Sequence, residues 1–199
     1  MIRPNYAQDK PPMELSIGGN SYPIQTDYRI WIEALDLMRD ISFVKDDEER
    51  NRKSIEKFTQ LEAMVFGDII PEDAAEVLTA LAEFSAGYPM APVRQHESPY
   101  QGYSFKYDIN SIIIAIRNQS GRDLSYRCEY CHWWEFLLEF RTLCGEHYIL
   151  NLIGARTYEG QDKDLVKRRN DCALPYEYSE DEMEEYRQME ELFEKGEAT

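Results

Sequence analysis

With 199 residues, the chain is long enough to bury a core of its own, and its 43% hydrophobic and 13% aromatic content argues against general disorder. A net charge of -16 and a pI of about 4.6 exclude contacts dominated by nucleic-acid phosphates or an anionic membrane surface, and favour basic partners. The charge is uneven: residues 176–199 carry ten Asp plus Glu against Arg187 and Lys195, about half of the total excess.

Taken in chain order, residues 13–17 and 22–25 alternate apolar and polar positions around Gly18, Gly19 and Asn20, the pattern of a tight β-hairpin with Pro23 on an edge strand. Asp27 is placed to cap a helix with Ile30, Ala34, Leu37, Met38 and Ile41 on one stripe and Trp31 beside it. A charged run, residues 45–50, leads into a second helix with Ile55, Phe58, Leu61 and Val65 inward and Gly67 as its stop. Pro71, Glu72 and Asp73 open a third, whose buried face is Ala74, Val77, Leu78, Leu81 and Phe84 and which ends at Gly87.

Residues 88–104, with Pro89, Pro92, Pro99 and Gly102, lack periodicity and read as a loop. A helix follows with Ile109, Ile112, Ile113 and Ile116 inward, ending near Gly121. Another is expected over Arg127–Leu143, made central by Trp133, Trp134, Phe136, Leu137 and Phe140. A short apolar segment, Tyr148 to Ile153, comes next. Residues 156–178 are polar enough for a hinge, and Ser179 with Glu182 forms a capping box for an acidic terminal helix through Met183, Tyr186 and Phe193. The expected architecture is mainly α: residues 1–12 a flexible N-terminus, 13–156 a compact helical domain with a small N-terminal hairpin, and 157–199 a polar hinge and acidic C-terminal helix.

The start, MIRPNYAQDKPP, has no apolar signal stretch and no run reaches the roughly 20 apolar residues of a membrane span, so a cytoplasmic protein is expected. There Cys128, Cys131, Cys144 and Cys172 are reduced thiols, read first as buried small hydrophobes. Cys128-Glu129-Tyr130-Cys131-His132 matches the CxxCH of covalent haem attachment, but that chemistry needs an exported chain. Cys128, Cys131, Cys144 and His147 have zinc-ligand spacing. A continuous helix between the two pairs would hold them about 20 Å apart, too far for one ion. His132, beside two tryptophans, reads as a core histidine. No nucleophile, metalloprotease or phosphate-loop motif occurs, so neither catalytic residues nor a cofactor are expected.

The order and spacing of short pieces resemble the phage gene-product-fifteen family: Ile17-Gly18-Gly19 with Tyr22 and Ile24; Thr26-Asp27-Tyr28-Arg29 with Trp31-Ile32; Pro71-Glu72-Asp73; Phe84; Ser104-Phe105; Tyr107-Asp108; Asp123-Leu124; and His132-Trp133-Trp134 with Phe136. The likeness covers about Leu15 to Arg156. Ile112-Ile113-Ile114 and Ala155-Arg156 depart from the pattern, and the four cysteines lie outside it. The resemblance implies a tail-assembly chaperone encoded beside the tape-measure gene, acting in the bacterial host cell. The tape-measure protein is then the partner, with the tail tube protein and further copies of the chain as additional candidates, and no nucleic acid or membrane. An amphipathic client helix would enter a groove between helices, although no partner-binding residues can be assigned from sequence. The rival reading is an acidic helical protein-binding or DNA-mimic protein of a phage or prophage, which should spread its carboxylates over a rigid surface instead of concentrating them in one segment.

Overall fold

The computed structural model describes residues 6–41, 47–90 and 98–175. Its described part is mainly helical, with a two-stranded N-terminal hairpin. β1 (Glu14–Ile17) and β2 (Asn20–Pro23) pair antiparallel with Leu15 opposite Tyr22 and Ile17 opposite Asn20. Gly18 and Gly19, at φ of 58° and 80°, make the left-handed two-residue turn that the strand twist requires. Leu15 and Ile17 face inward, and β1 packs on α3 (Ala74–Ser85).

α1 (Tyr28–Asp40) starts at Asp27, whose carboxylate accepts from the Arg29 backbone N–H. Its innermost residues are Tyr28, Trp31 and Ala34; the expected stripe through Ile30 and Leu37 is only half-buried. α2 (Glu48–Phe66) lies against α1 and stops at Gly67. Ile55, expected inward, is 56% exposed, while Ser54 one position earlier is buried. α3 is capped by Asp73, which accepts from Ala75 and Glu76, so the buried Pro71 precedes the helix instead of opening it. Ala74 is exposed, leaving Val77, Leu81 and Phe84 as the fully inward residues.

α4 (Phe105–Ser120) ends at Gly121, at φ 78°, and buries Ile112 and Ile116. α5 (Trp133–Arg141) is shorter than expected. Residues 128–132 are not helical, because their backbone groups are bonded to the segment before α1. Tyr28 donates to the Cys131 carbonyl at 2.9 Å, Trp133 to the Thr26 carbonyl at 2.7 Å, and Asp27 bridges His132 antiparallel. α6 (Tyr148–Arg156) packs on α4 and on α7 (Lys163–Asp171), a helix inside the stretch expected as a polar hinge. The expected terminal helix from Ser179 lies outside the described residues.

The centre of the molecule is aromatic. Trp31, Trp133 and Phe136 are fully buried and Trp134 nearly so. Trp31 meets Phe84 at 4.3 Å between ring centroids, Phe84 meets Trp134 at 5.5 Å, and Tyr28 stacks on Phe136 at 4.7 Å. The indole N–H groups are used as well. Those of Trp133 and Trp134 donate to the carbonyls of Ser85 and Phe84, and Arg141 donates to that of Ala86. Three side chains of α5 thus satisfy carbonyls at the end of α3 that have no partner within the helix. Gly87 lies so close to α5 that a Cβ there would sit 2.8 Å from Leu137 Cδ1.

Candidate functional site: polar anchors and an arginine-lined trough

Most of the polar groups singled out by sequence turn out to anchor the fold. Both oxygens of Asp27 are engaged by Arg29, at 2.7 and 2.8 Å, and Oδ2 also accepts from Cys131 N–H. Burial opposes its charge, but the hydrogen bonds from Arg29 and Cys131 outweigh it and hold the Asp27 carboxyl below the usual range. Arg29 completes the link by donating to the Cys128 and Glu129 carbonyls.

His132 is a buried histidine with both ring nitrogens satisfied. Nδ1 accepts from the Trp134 N–H as the cap of α5, so the proton sits on Nε2 and is donated to the Pro12 carbonyl at 3.0 Å. Burial lowers its pKa and keeps the ring neutral. The N-terminal segment is held there and again where Tyr88 donates to Asp9 O and meets the Tyr6 ring.

The four cysteines separate. Cys131 is buried, and desolvation pushes its thiol up to about 12, so it is no nucleophile near neutral pH. Cys128 and Cys172 are half-buried and Cys144 is exposed, against the expectation of four buried thiols. The helix between the candidate ligand pairs is only the nine residues of α5, so the separation estimated from a longer helix does not apply. Among the described residues, no group of three or more His, Cys, Asp or Glu is placed to hold a metal ion.

Asp108, on the first turn of α4, forms a fork with Arg156 at the end of α6, at 2.6 and 3.2 Å. Arg156 also donates to the carbonyls of Gly102 and Cys172, and Asp108 accepts from Ser104 N–H. This buried ion pair gathers α4, α6, the loop before α4 and the residues after α7 at one point.

Above that point opens a cleft of about 710 Å³. Arg39 from the last turn of α1, Tyr100 and Gln101 from the loop, Arg169 and Asn170 from α7, and Leu174 and Pro175 beyond it form its wall, with Arg156 beneath. Arg169 lies 4.1 Å over the Tyr100 ring and donates to the Tyr158 carbonyl, which fixes its head at the rim. Among the described residues no acidic side chain lines the cleft, although Arg39 is flanked by Asp36 and Asp40 at 3.9 and 3.6 Å. A second groove of about 370 Å³ shares Arg39 and Gln101 with it and is lined by Ile32, Leu35, Tyr103 and Phe105 together with Asp36. The two form one trough along α1, with an apolar end and a basic end, on a protein of net charge -16. No described helix is long and apolar enough to cross a membrane.

Sequence reasoning did not find this trough, because its residues come from distant parts of the chain. One signal was present: Lys163, Lys167, Arg168 and Arg169 fall within seven residues of an otherwise acidic sequence.

Comparison with curated proteins gave no match, nor did comparison with solved structures. The family model described as Bacteriophage Gp15 protein matches residues 8–194. With nearly its whole length matched, this chain belongs to the bacteriophage Gp15 protein family.

Proposed function

We propose that the protein is a tail-assembly chaperone that binds the phage tape-measure protein, and that the trough along α1 is where the client enters. The observation that carries this reading is the trough itself: an apolar end at Ile32, Leu35 and Tyr103 continues into an arginine-lined end. An amphipathic helix needs such a surface, apolar where its stripe lies down and charged where its flanks emerge. A long helical client with exposed apolar stripes is prone to aggregate until the tail tube surrounds it, and covering those stripes is the service a chaperone supplies. The tube protein and further copies of the chain are additional candidate partners.

The test is co-expression of the full chain with the tape-measure protein encoded beside it, followed by affinity capture and size exclusion. Gln101 is exposed and shared by both halves of the trough. Gln101→Trp fills the trough without removing an interior contact. The expected result is a stable complex weakened at least about tenfold by the substitution, a difference of about 1.4 kcal/mol. If no complex forms, the chaperone reading fails; if a complex forms and Gln101→Trp leaves it unchanged, the trough is not its site.

A further inference from the structure

We propose that the basic end of the trough is occupied, before any client arrives, by the chain's own acidic C-terminal segment, so that the protein carries its own competitor for the client site. The inference rests on reading the trough as that site and adds its regulation.

Three observations point to this occupant. The first is charge. Arg39, Arg156 and Arg169 border a cleft with no acidic residue among the described ones that line it, and residues 177–185 carry six carboxylates and no basic side chain. Arg156 is neutralised from beneath by Asp108 and Arg39 is partly offset by Asp36 and Asp40. Arg169, whose described contacts are with carbonyl, amide and ring groups, is the guanidinium that brings uncompensated charge to the rim.

The second is connection. Pro175 is itself part of the wall, so the acidic segment begins at the cleft and needs no long linker to reach it. A short tether gives an effective concentration in the millimolar range, at which individually weak contacts of exposed carboxylates with arginines are populated. An acidic segment on another molecule must compete against that concentration.

The third is size. A cleft of about 710 Å³ falls within the roughly 300–1,000 Å³ of sites that enclose one small ligand. It accommodates a few side chains, matching the first carboxylates after Pro175, and is too small for the whole 24-residue terminus. The apolar end beside Ile32 and Leu35 is left accessible to the client's first contact. A client helix that enters there and continues along α1 must displace the segment from the arginines. This exchange would favour clients with enough apolar surface to offset the lost ion pairs.

The experiment uses the full chain alone. A nitroxide is attached at Met183→Cys after Cys128, Cys144 and Cys172 are replaced by Ser, with the native melting temperature retained as the control for folding. Amide signals of Tyr100, Gln101 and Asn170 are compared with the label oxidised and reduced. Broadening at all three is expected at about 0.01 M ionic strength and should fade towards 1 M, where the screening length falls from about 30 to about 3 Å. It should fade likewise in the variant Glu177→Gln, Glu180→Gln, Asp181→Asn and Glu182→Gln, and in a separate Arg39→Glu chain. Equal signals in the oxidised and reduced states at low salt overturn the proposal. So does broadening that neither salt nor charge removal changes, and so does broadening that arises only between labelled and unlabelled copies in a mixture. Because no client is present, failure here leaves the chaperone reading standing, whereas failure of the co-expression test leaves this contact intact and removes only its regulatory meaning.

Discussion

Replacing Asp108 with Ala leaves the Arg156 guanidinium, whose side chain is only 9% exposed, without its counterion. Breaking a buried pair by removing one partner costs about 3–5 kcal/mol, a large part of the roughly 5–15 kcal/mol that holds a typical domain folded. At about 2–4 °C per kcal/mol for a chain of this size, the melting temperature should fall by about 6–20 °C. Arg156→Met should cost a similar amount, because it strands the Asp108 carboxylate and withdraws the donors to Gly102 and Cys172. In the Asp108→Ala, Arg156→Met double variant no charge is stranded, but two carbonyls still lose a donor, at about 1–3 kcal/mol each where they remain shielded from water. The double variant should therefore fall short of the summed single effects by about 1–3 kcal/mol. Urea unfolding followed by tryptophan fluorescence measures all four corners. Single variants within about 1 kcal/mol of the parent, or strict additivity, would refute the view that this pair fastens the region beneath the trough.

Trp133→Ala and Trp134→Ala should each cost about 3–5 kcal/mol, since each removes a buried ring and an indole donor from the end of α3; a parent-like melt for both would contradict the core assignment. His132 must be neutral to cap α5, and its folded pKa lies below the unfolded value of about 6.5. The unfolded chain therefore binds the proton first, and the His132 contribution, intact above about pH 6.5, is lost as pH falls through the folded pKa. His132→Asn, which keeps a capping acceptor, should flatten that part of the stability profile, and an unchanged acid limb would argue against it. Glu62 is buried on α2 and its pKa is raised by desolvation, so Glu62→Gln should raise the melting temperature at neutral pH and lose that advantage as Glu62 protonates in acid. The purified protein is expected to bind no zinc, checked by elemental analysis and by a melting temperature unchanged by chelator.

Where local chemistry decides the structure, the sequence was readable. Gly18-Gly19 located the hairpin, and Asp27, Gly67 and Gly121 located helix ends. Periodicity failed where long-range pairing decides it. The apolar run around Trp133 reads as helix from Arg127, but Thr26, Asp27 and Tyr28 hold residues 131–133 extended and delay α5. α7 escaped notice because it buries no residue fully, so no apolar stripe announces it. About half of the residues that carry the family likeness, including Trp31, Phe84, Asp108 and the His132-Trp133-Trp134 run, are buried. They identify the architecture, while the trough, built largely from other positions, had no contiguous pattern to announce it.

The pairing of residues 26–28 with 131–133 also sets a timetable for synthesis. Trp31 is made about a hundred residues before its neighbour Trp133. At roughly 5–20 residues per second, a ribosome needs on the order of 5–20 s to cover that interval. During it, the hairpin, α1, α2 and α3 are present with their inner aromatic faces uncovered. The nascent chain of this proposed chaperone therefore passes through a period in which it, too, exposes sticky surface, ended only when the segment around residue 133 leaves the exit tunnel and closes the centre.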